Sequence, residues 1–295
     1  MKIGCVIQGD VRRGTSWVLN ELPRLFDFTV LSTWSEDKDL VPPGAYTLAL
    51  SNKPNNYGIT NRNLQRLLTS KGIQVARDAG CEYVLKWRTD MLPTKLDVSQ
   101  LLEWAAYKIP SGMNSRIAMP AFRNLSVTPD WLSSIPDLFA FGHIDEMEML
   151  WGEANFDYAL DMNIPNEMAK DLSGKLQNLA SFYCAESELY AIFKERLQLH
   201  LGFRLTHPQI ALDYLRLFDH RRLGIYWFGR EGGFRSIAQG WEHHWWTEAN
   251  WQRADIKISP SGYLVSGIRD KILAWCSPFR VMTEQYRQAI AWEVR

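Results

Sequence analysis

Asp90 closes the run YVLKWRTD, residues 83–90, in which an apolar stretch ends in Arg88, Thr89 and Asp90 rather than in a turn of Gly, Asn or Pro. A carboxylate at a strand exit can hold Mg2+ or Mn2+, hard ions usually shared between one or two carboxylates and the phosphates of a substrate. Such an ion neutralises charge on a departing diphosphate, which lets a sugar leave its nucleotide. Lys86 and Arg88 alternate with Leu85 and Trp87, so the two basic side chains share a face from which either can contact phosphate. The competing reading is that Asp90 pairs with a neighbouring cation on the surface, as most charged residues are solvated.

Asn61, Asn63, Gln65 and Arg66 crowd the start of a helical pattern. A helix N-terminus favours anions and offers unpaired amides, although Asn is also a common helix-start residue. Asp145 with Glu146, and Glu186 with Glu188, are acid pairs at helix starts; each can supply a general base for a hydroxyl nucleophile or serve as ordinary first-turn acid. His243 and His244 lie in WEHHWW, where one can complete a metal site or both can belong to a packed aromatic cluster. The sequence contains no GxSxG elbow, P-loop, HExxH, or GxGxxG after its first apolar run. Serine hydrolase, nucleoside triphosphatase, zincin and dinucleotide-binding dehydrogenase readings therefore fall away.

The elements that must position these residues follow from periodicity. KIGCVIQG, FTVLSTW, YTLALS and EYVLKWRTD read as strands, and SWVLNELPRLF reads as a helix that Pro23 interrupts. Thr60 is placed to cap a long helix, NRNLQRLLTSKGIQVARDAG, which Gly80 ends. RIAMPAF and DLFAFG give two further strands, and MEMLW opens a helix after Asp145. Residues 154–220 read as helical and more polar, IYWFG as a strand, and residues 268–293 as two closing helices. The order predicts an α/β fold, a mostly parallel central sheet with helices on both faces and a helical, Trp-rich C-terminal elaboration. The expectation is a single domain over residues 1–295, with a ligand-binding half at 1–153 and a helical half at 154–295. Open sheets of this kind bind ligands beyond the carboxyl ends of their strands. Gln8, Gly9 and Asp10, then Ser32, Thr33 and Trp34, then Asn52 to Asn56, and finally Arg88, Thr89 and Asp90 all fall at such ends.

Composition limits the partners. Among 295 residues, Lys plus Arg equals Asp plus Glu, so no basic field recommends nucleic acid. The four cysteines form no CxxC pair or metal spacing, which suits reduced thiols. With no signal peptide and no membrane-spanning run, the expectation is a cytoplasmic protein, with peripheral contact at the inner membrane left open.

Taken in order, VIQG, LSTW, the Asn/Gln/Arg-rich helix start, YVLKWRTDM and DLFAFG with Trp151 resemble the WavE-type lipopolysaccharide and capsule synthesis proteins, which are regarded as glycosyltransferases of the GT-A kind. The likeness covers roughly residues 3–200, and its most specific piece is Lys86, Arg88, Thr89 and Asp90. It implies a GT-A-like fold, a nucleotide-sugar donor, a surface glycan or lipid-linked acceptor, and Mn2+ or Mg2+ near Asp90. It places Gln8 and Gly9 by the nucleotide and lines the donor side with Asn61, Gln65 and Arg66; from the acid pairs above, Asp145 or Glu186 is the candidate base. Arg88 stands where a full DxD motif has its first acid, a departure that weakens metal binding. Two other readings remain: a degenerate nucleotide-sugar-binding or scaffold protein, and a sugar-nucleotide nucleotidyltransferase, although GDVRRGTSW lacks the spacing of the latter's loop.

Overall fold

A computed structural model describes residues 1–12, 14–58, 61–123, 133–152, 185–227, 245–246 and 248–256. At its centre is a seven-stranded sheet ordered β3-β2-β1-β4-β8-β6-β9. The strands are β1 (Ile3–Gln8), β2 (Phe28–Trp34), β3 (Thr47–Ser51), β4 (Tyr83–Arg88), β6 (Ile117–Met119), β8 (Ala140–His143) and β9 (Leu215–Leu217). Every pairing is parallel except the two made by β8, which runs against both β4 and β6.

Period-2 alternation assigns the two faces. In β1, Val6 faces one hydrophobic cluster while Cys5 and Ile7 face the other; in β4, Val84 opposes Leu85 and Trp87 in the same way. Helices α2 (Arg62–Asp78) and α4 (Ile144–Trp151) cover the Val6 face, joined by α5 (Ala185–Leu201). Helices α1 (Thr15–Glu21) and α3 (Val98–Ala106) cover the other. The switch of face between α1 and α2 follows from handedness. β1–α1–β2 steps one way along the sheet, β3–α2–β4 steps back across β1, and right-handed crossovers in opposite directions pack on opposite faces. Gly72 permits the close approach of α2: a Cβ there would collide with the Val6 side chain and press on Ser32. Gly80, at φ +80°, ends that helix in the left-handed conformation that glycine adopts without penalty.

Several expectations from sequence are met: the four N-terminal strands, the break at Pro23 where α1 gives way to a 3-10 turn (Leu22–Arg24), and the long helix ending before Gly80. Others need correction. The run RIAMPAF is two strands, since Pro120 separates β6 from β7 (Phe122–Arg123). The polar stretch read as wholly helical up to residue 220 contains β9, which completes the sheet edge, because Leu215, Arg216 and Leu217 pair with Ile117 to Met119. Strand β10 (Ile225–Trp227) does not extend the sheet; it pairs antiparallel with β5 (Met91–Pro93), directly after Asp90. A short β11 (Trp245–Trp246) pairs with β7, and helix α6 (Glu248–Ile256) follows. Thr60, His243 and the closing helices expected over 268–293 lie outside the described residues. Among the described residues no helix is long and apolar enough to cross a membrane.

Candidate functional site

The strand order reverses between β1 and β4, so the loops leaving their carboxyl ends diverge and open a crevice between Gln8 and Arg88, which are register partners. A glycine conformation and three hydrogen bonds fix the loop that leaves β1. Gly9 adopts φ +132°, and a Cβ there would come to 2.7 Å from Thr89 Oγ1, so only glycine lets the two strand exits lie this close. The Val11 amide donates to Asp37 Oδ2 at 3.0 Å. The Arg12 amide donates to Thr15 Oγ1 at 2.8 Å, and that hydroxyl in turn donates to the Thr89 carbonyl at 3.2 Å. Arg12 is thereby held over the end of β4.

Asp90 is 2% exposed and accepts four hydrogen bonds. Arg88 donates through Nε to Oδ1 at 2.9 Å and through NH2 to Oδ2 at 3.1 Å. Arg12 NH1 and Trp227 Nε1 also donate to Oδ2, at 2.9 and 3.1 Å. The Arg88 guanidinium carbon lies over the Trp227 ring, 5.3 Å from its centroid, within cation–π reach. Arg12 reaches back to Asp10 Oδ2 at 3.3 Å, and Trp34 Nε1 donates to Asp10 Oδ1 at 2.7 Å. Burial pushes the Asp90 carboxyl up; the Arg88 hydrogen bonds and charge, the Trp227 indole and the Arg12 charge outweigh it and hold the group below the ordinary aspartate range.

These contacts bear on the implied metal. Four N–H groups already surround Asp90, three of them on Oδ2 and one on Oδ1. A divalent ion would also sit against two guanidinium charges, so the Asp90 surroundings do not fit Mg2+ or Mn2+. Among the described residues, no group of three or more His, Cys, Asp or Glu side chains is placed to hold a metal ion.

A second polar cluster adjoins the first on the α2 side of β4. Lys86 is fully buried; its ammonium donates to the carbonyls of Asp137 and, at 3.3 Å, of Leu138, and lies 4.7 Å from the Trp151 ring centroid. Desolvation, offset only partly by Asp137, pulls its pKa down to about 7. The Asp137 carboxylate accepts from Gln65 and lies 3.8 Å from Arg88 NH1. Arg62 and Glu188 form an ion pair, both nearly buried, and with Gln65, Arg66, Asp137 and Trp151 they line a small cleft at the start of α2.

The structure therefore brings most of the sequence-derived residues to one rim, with different roles for several. Asp10, Arg88 and Asp90 meet at the crevice. Gln8, Thr33, Trp34 and Thr89 are nearly or fully buried beneath it; Thr33 Oγ1, for example, donates to the Gly9 carbonyl at 2.8 Å. Lys86 shares a face with Arg88 as alternation requires, but its ammonium is turned inward on carbonyls and away from the rim. Gln65 and Arg66 line the adjoining cleft, while Asn61 is exposed at the helix N-cap with φ 63° and makes no side-chain cap. Glu186 starts α5 on the same side, and its charge acts on Lys86.

Asp145 is not among them. β8 runs antiparallel to β4 with His143 opposite Tyr83, so Asp145 follows the far end of the sheet, where it pairs with Arg77 at 2.7 Å. A base for chemistry at Asp90 has to come from elsewhere.

Four residues at the site were not singled out from sequence: Arg12, Arg62, Asp137 and Trp227. Asp137 opens the run DLFAFG, three residues before β8 begins, and the antiparallel pairing of β8 with β4 is what brings it to the rim. Trp227 carried no local signal, because its position depends on the β5–β10 pairing across more than a hundred residues of sequence.

No protein-family model matches the chain, and no curated protein matches it. Among solved structures, a match is found to the crystal structure of a glycosyltransferase involved in the glycosylation of the major capsid of PBCV-1, at 12% identity and a TM-score of 0.29, covering 54% of this chain and 69% of that one. The likeness to the WavE-type proteins rests on the sequence pieces quoted above.

Proposed function

We propose that this chain is a GT-A-like glycosyltransferase that moves a sugar from a nucleotide-sugar donor to a surface polysaccharide or lipid-linked glycan. The observation that carries the proposal is the convergence of Gln8–Asp10 and Arg88–Asp90 on the β1/β4 crevice, the place where an open α/β sheet takes its ligand, with guanidinium groups facing it. Residues 1–153 supply the donor side in this reading and residues 154–295 the acceptor side. The Gln65 and Arg66 cleft, one residue pair away through Asp137 and Arg88, is where the sugar end of the donor would extend. With Asp145 at the far end of the sheet, Asp137 and Glu186 are the acids on the correct side to serve as base.

Thermal shift with UDP-, GDP-, CDP- and CMP-sugars tests the proposal, because a ligand that binds the folded state raises the melting temperature by mass action. A shift with one nucleotide class, followed by donor consumption when glycan acceptors are supplied, is the expected result. No shift with any of the four would end it.

A second reading is favoured by the pairing of Asp90 with two guanidinium groups and an indole in place of a metal ion. In that reading the chain binds a nucleotide sugar without turning it over. It predicts the thermal shift without donor consumption.

A further inference from the structure

Asp10 and Asp90 come from different strands, and each is steadied by one indole N–H, from Trp34 and Trp227 respectively. The guanidinium of Arg12 bridges them, donating one N–H to each. Arg88 closes the other side of Asp90 with two N–H groups. Two carboxylates thus face two guanidinium groups, a total of +2 against −2. One divalent ion against the same two carboxylates would give the same balance. The cationic role in this crevice is therefore already filled by side chains of the chain itself.

We propose that Arg12 and Arg88, oriented by Asp10 and Asp90, form a metal-independent binding centre for the diphosphate of the ligand. Asp90 is then a positioning residue: it fixes the two guanidinium groups and coordinates nothing. This inference rests on the nucleotide-sugar reading and adds how the diphosphate is held.

Three observations make it a prepared site and not a chance ion pair. Arg12 is 47% exposed in its side chain, so it faces the crevice while its backbone is tied to Thr15 and through it to Thr89. Each guanidinium has five N–H donors, and Arg12 commits one to each carboxylate, leaving the others for phosphate oxygens. The Arg88 guanidinium carbon lies over the Trp227 ring, 5.3 Å from its centroid, and its two N–H bonds to Asp90 fix the group beside the crevice.

The probes are UDP, GDP and inorganic pyrophosphate, titrated calorimetrically against the full chain in EDTA and, separately, in Mn2+. Equal dissociation constants in the two buffers, with binding of the preferred probe weakened at least about tenfold in Arg12→Gln, are expected. Arg12→Lys, which keeps the charge but loses the fork, should fall between wild type and Arg12→Gln; it also supplies a reading if Arg12→Gln is poorly folded. Binding that appears only with Mn2+, or that is unchanged in both Arg12 variants, overturns the metal-independent centre and leaves the glycosyltransferase proposal standing. Failure of every probe to bind folded wild type in either buffer overturns the diphosphate centre, and the glycosyltransferase proposal falls with it only if none of the four nucleotide sugars shifts the melting temperature either.

Discussion

Strand β4 has a carboxylate near each end, and the two differ in almost everything but residue type. At the exit, Asp90 is 2% exposed and held by two guanidinium groups and an indole. Beyond the entrance, Asp145 is half exposed and shared among Arg77, Asn114 and His143. Local sequence treats them alike, each an acid flanking an apolar run. The difference arises from topology. The order of strands reverses beside β4 at its exit, which opens a crevice and draws in β10 to line it; at the entrance the sheet closes over into α4 with no such gap. A buried ion network and a solvated ion pair have opposite energetics, and that contrast can be measured.

The largest loss of stability at neutral pH is expected from Asp90→Ala. Removing a buried partner leaves Arg88 with two N–H groups unpaired against Trp227, and the loss should be about 3 kcal/mol in urea denaturation at neutral pH. Stability from this group is present above the pKa of an unfolded aspartate and is lost as pH falls through its depressed folded value. Wild type should therefore lose its advantage over Asp90→Ala as the buffer is acidified below about pH 4. An Asp90→Ala protein as stable as wild type at pH 7 would show that the network contributes nothing and that the crevice carboxylate behaves like Asp145.

Lys86 sharpens the same contrast from the basic side. Its folded pKa, about 7, lies below that of an unfolded lysine, so the unfolded chain binds more protons between these values and stability rises with pH across that window. The contribution is complete above about pH 10.4 and is lost as pH falls to about 7, a change of up to about 4 kcal/mol. Comparing wild type with Lys86→Met from pH 7 to 10 isolates it from other titrating groups. Parallel curves would mean that Lys86 stays charged in the folded protein.

How far all this could be read beforehand depends on the range of the contacts. The four N-terminal strands, α1 with its break at Pro23, and α2 ending at Gly80 are each set by local periodicity and by residues adjacent in the chain, so they are legible. The switch-point rim follows from strand order, and Gly9, Asp10, Arg88 and Asp90 were placed there for that reason. The state of Asp90 was not legible. Surface pairing and metal binding were the two readings, and the structure shows a third, a buried carboxylate paired with two cations. Its partners Arg12 and Trp227 are 78 and 137 residues away in the chain, and no spacing rule reaches that far. Asp145 failed for the same physical reason in reverse: β8 runs antiparallel, which sends the acid after it to the opposite end of the sheet, and neighbouring residues do not encode strand direction.

Trp227→Phe tests whether the C-terminal half contributes to the contrast through β10. The ring that lies beneath Arg88 is largely kept, while the indole N–H to Asp90 is lost, a charge-assisted bond of about 1.5–3 kcal/mol. A loss near that range, with Asp90→Ala and Trp227→Phe combined costing less than the sum of the two, would show one coupled network. Strict additivity would separate the indole from the carboxylate.

Asp145→Asn should have the smallest effect, and its smallness is informative. The side chain is 49% exposed and its Arg77 partner 35%, so solvent screens the pair and holding two long side chains in one geometry offsets much of the attraction. Exposed pairs of this kind contribute about 0–1 kcal/mol. Asn keeps an oxygen that can accept from Arg77 and Asn114, and Glu148 remains beside Arg77 to balance its charge. Donor binding and turnover should be unchanged, because the substitution lies beyond the opposite end of β4 from the crevice. A large loss of turnover with normal folding would place a reacting group at that end of the sheet, and the crevice at the β1 and β4 exits would then have to be a binding site without the chemistry.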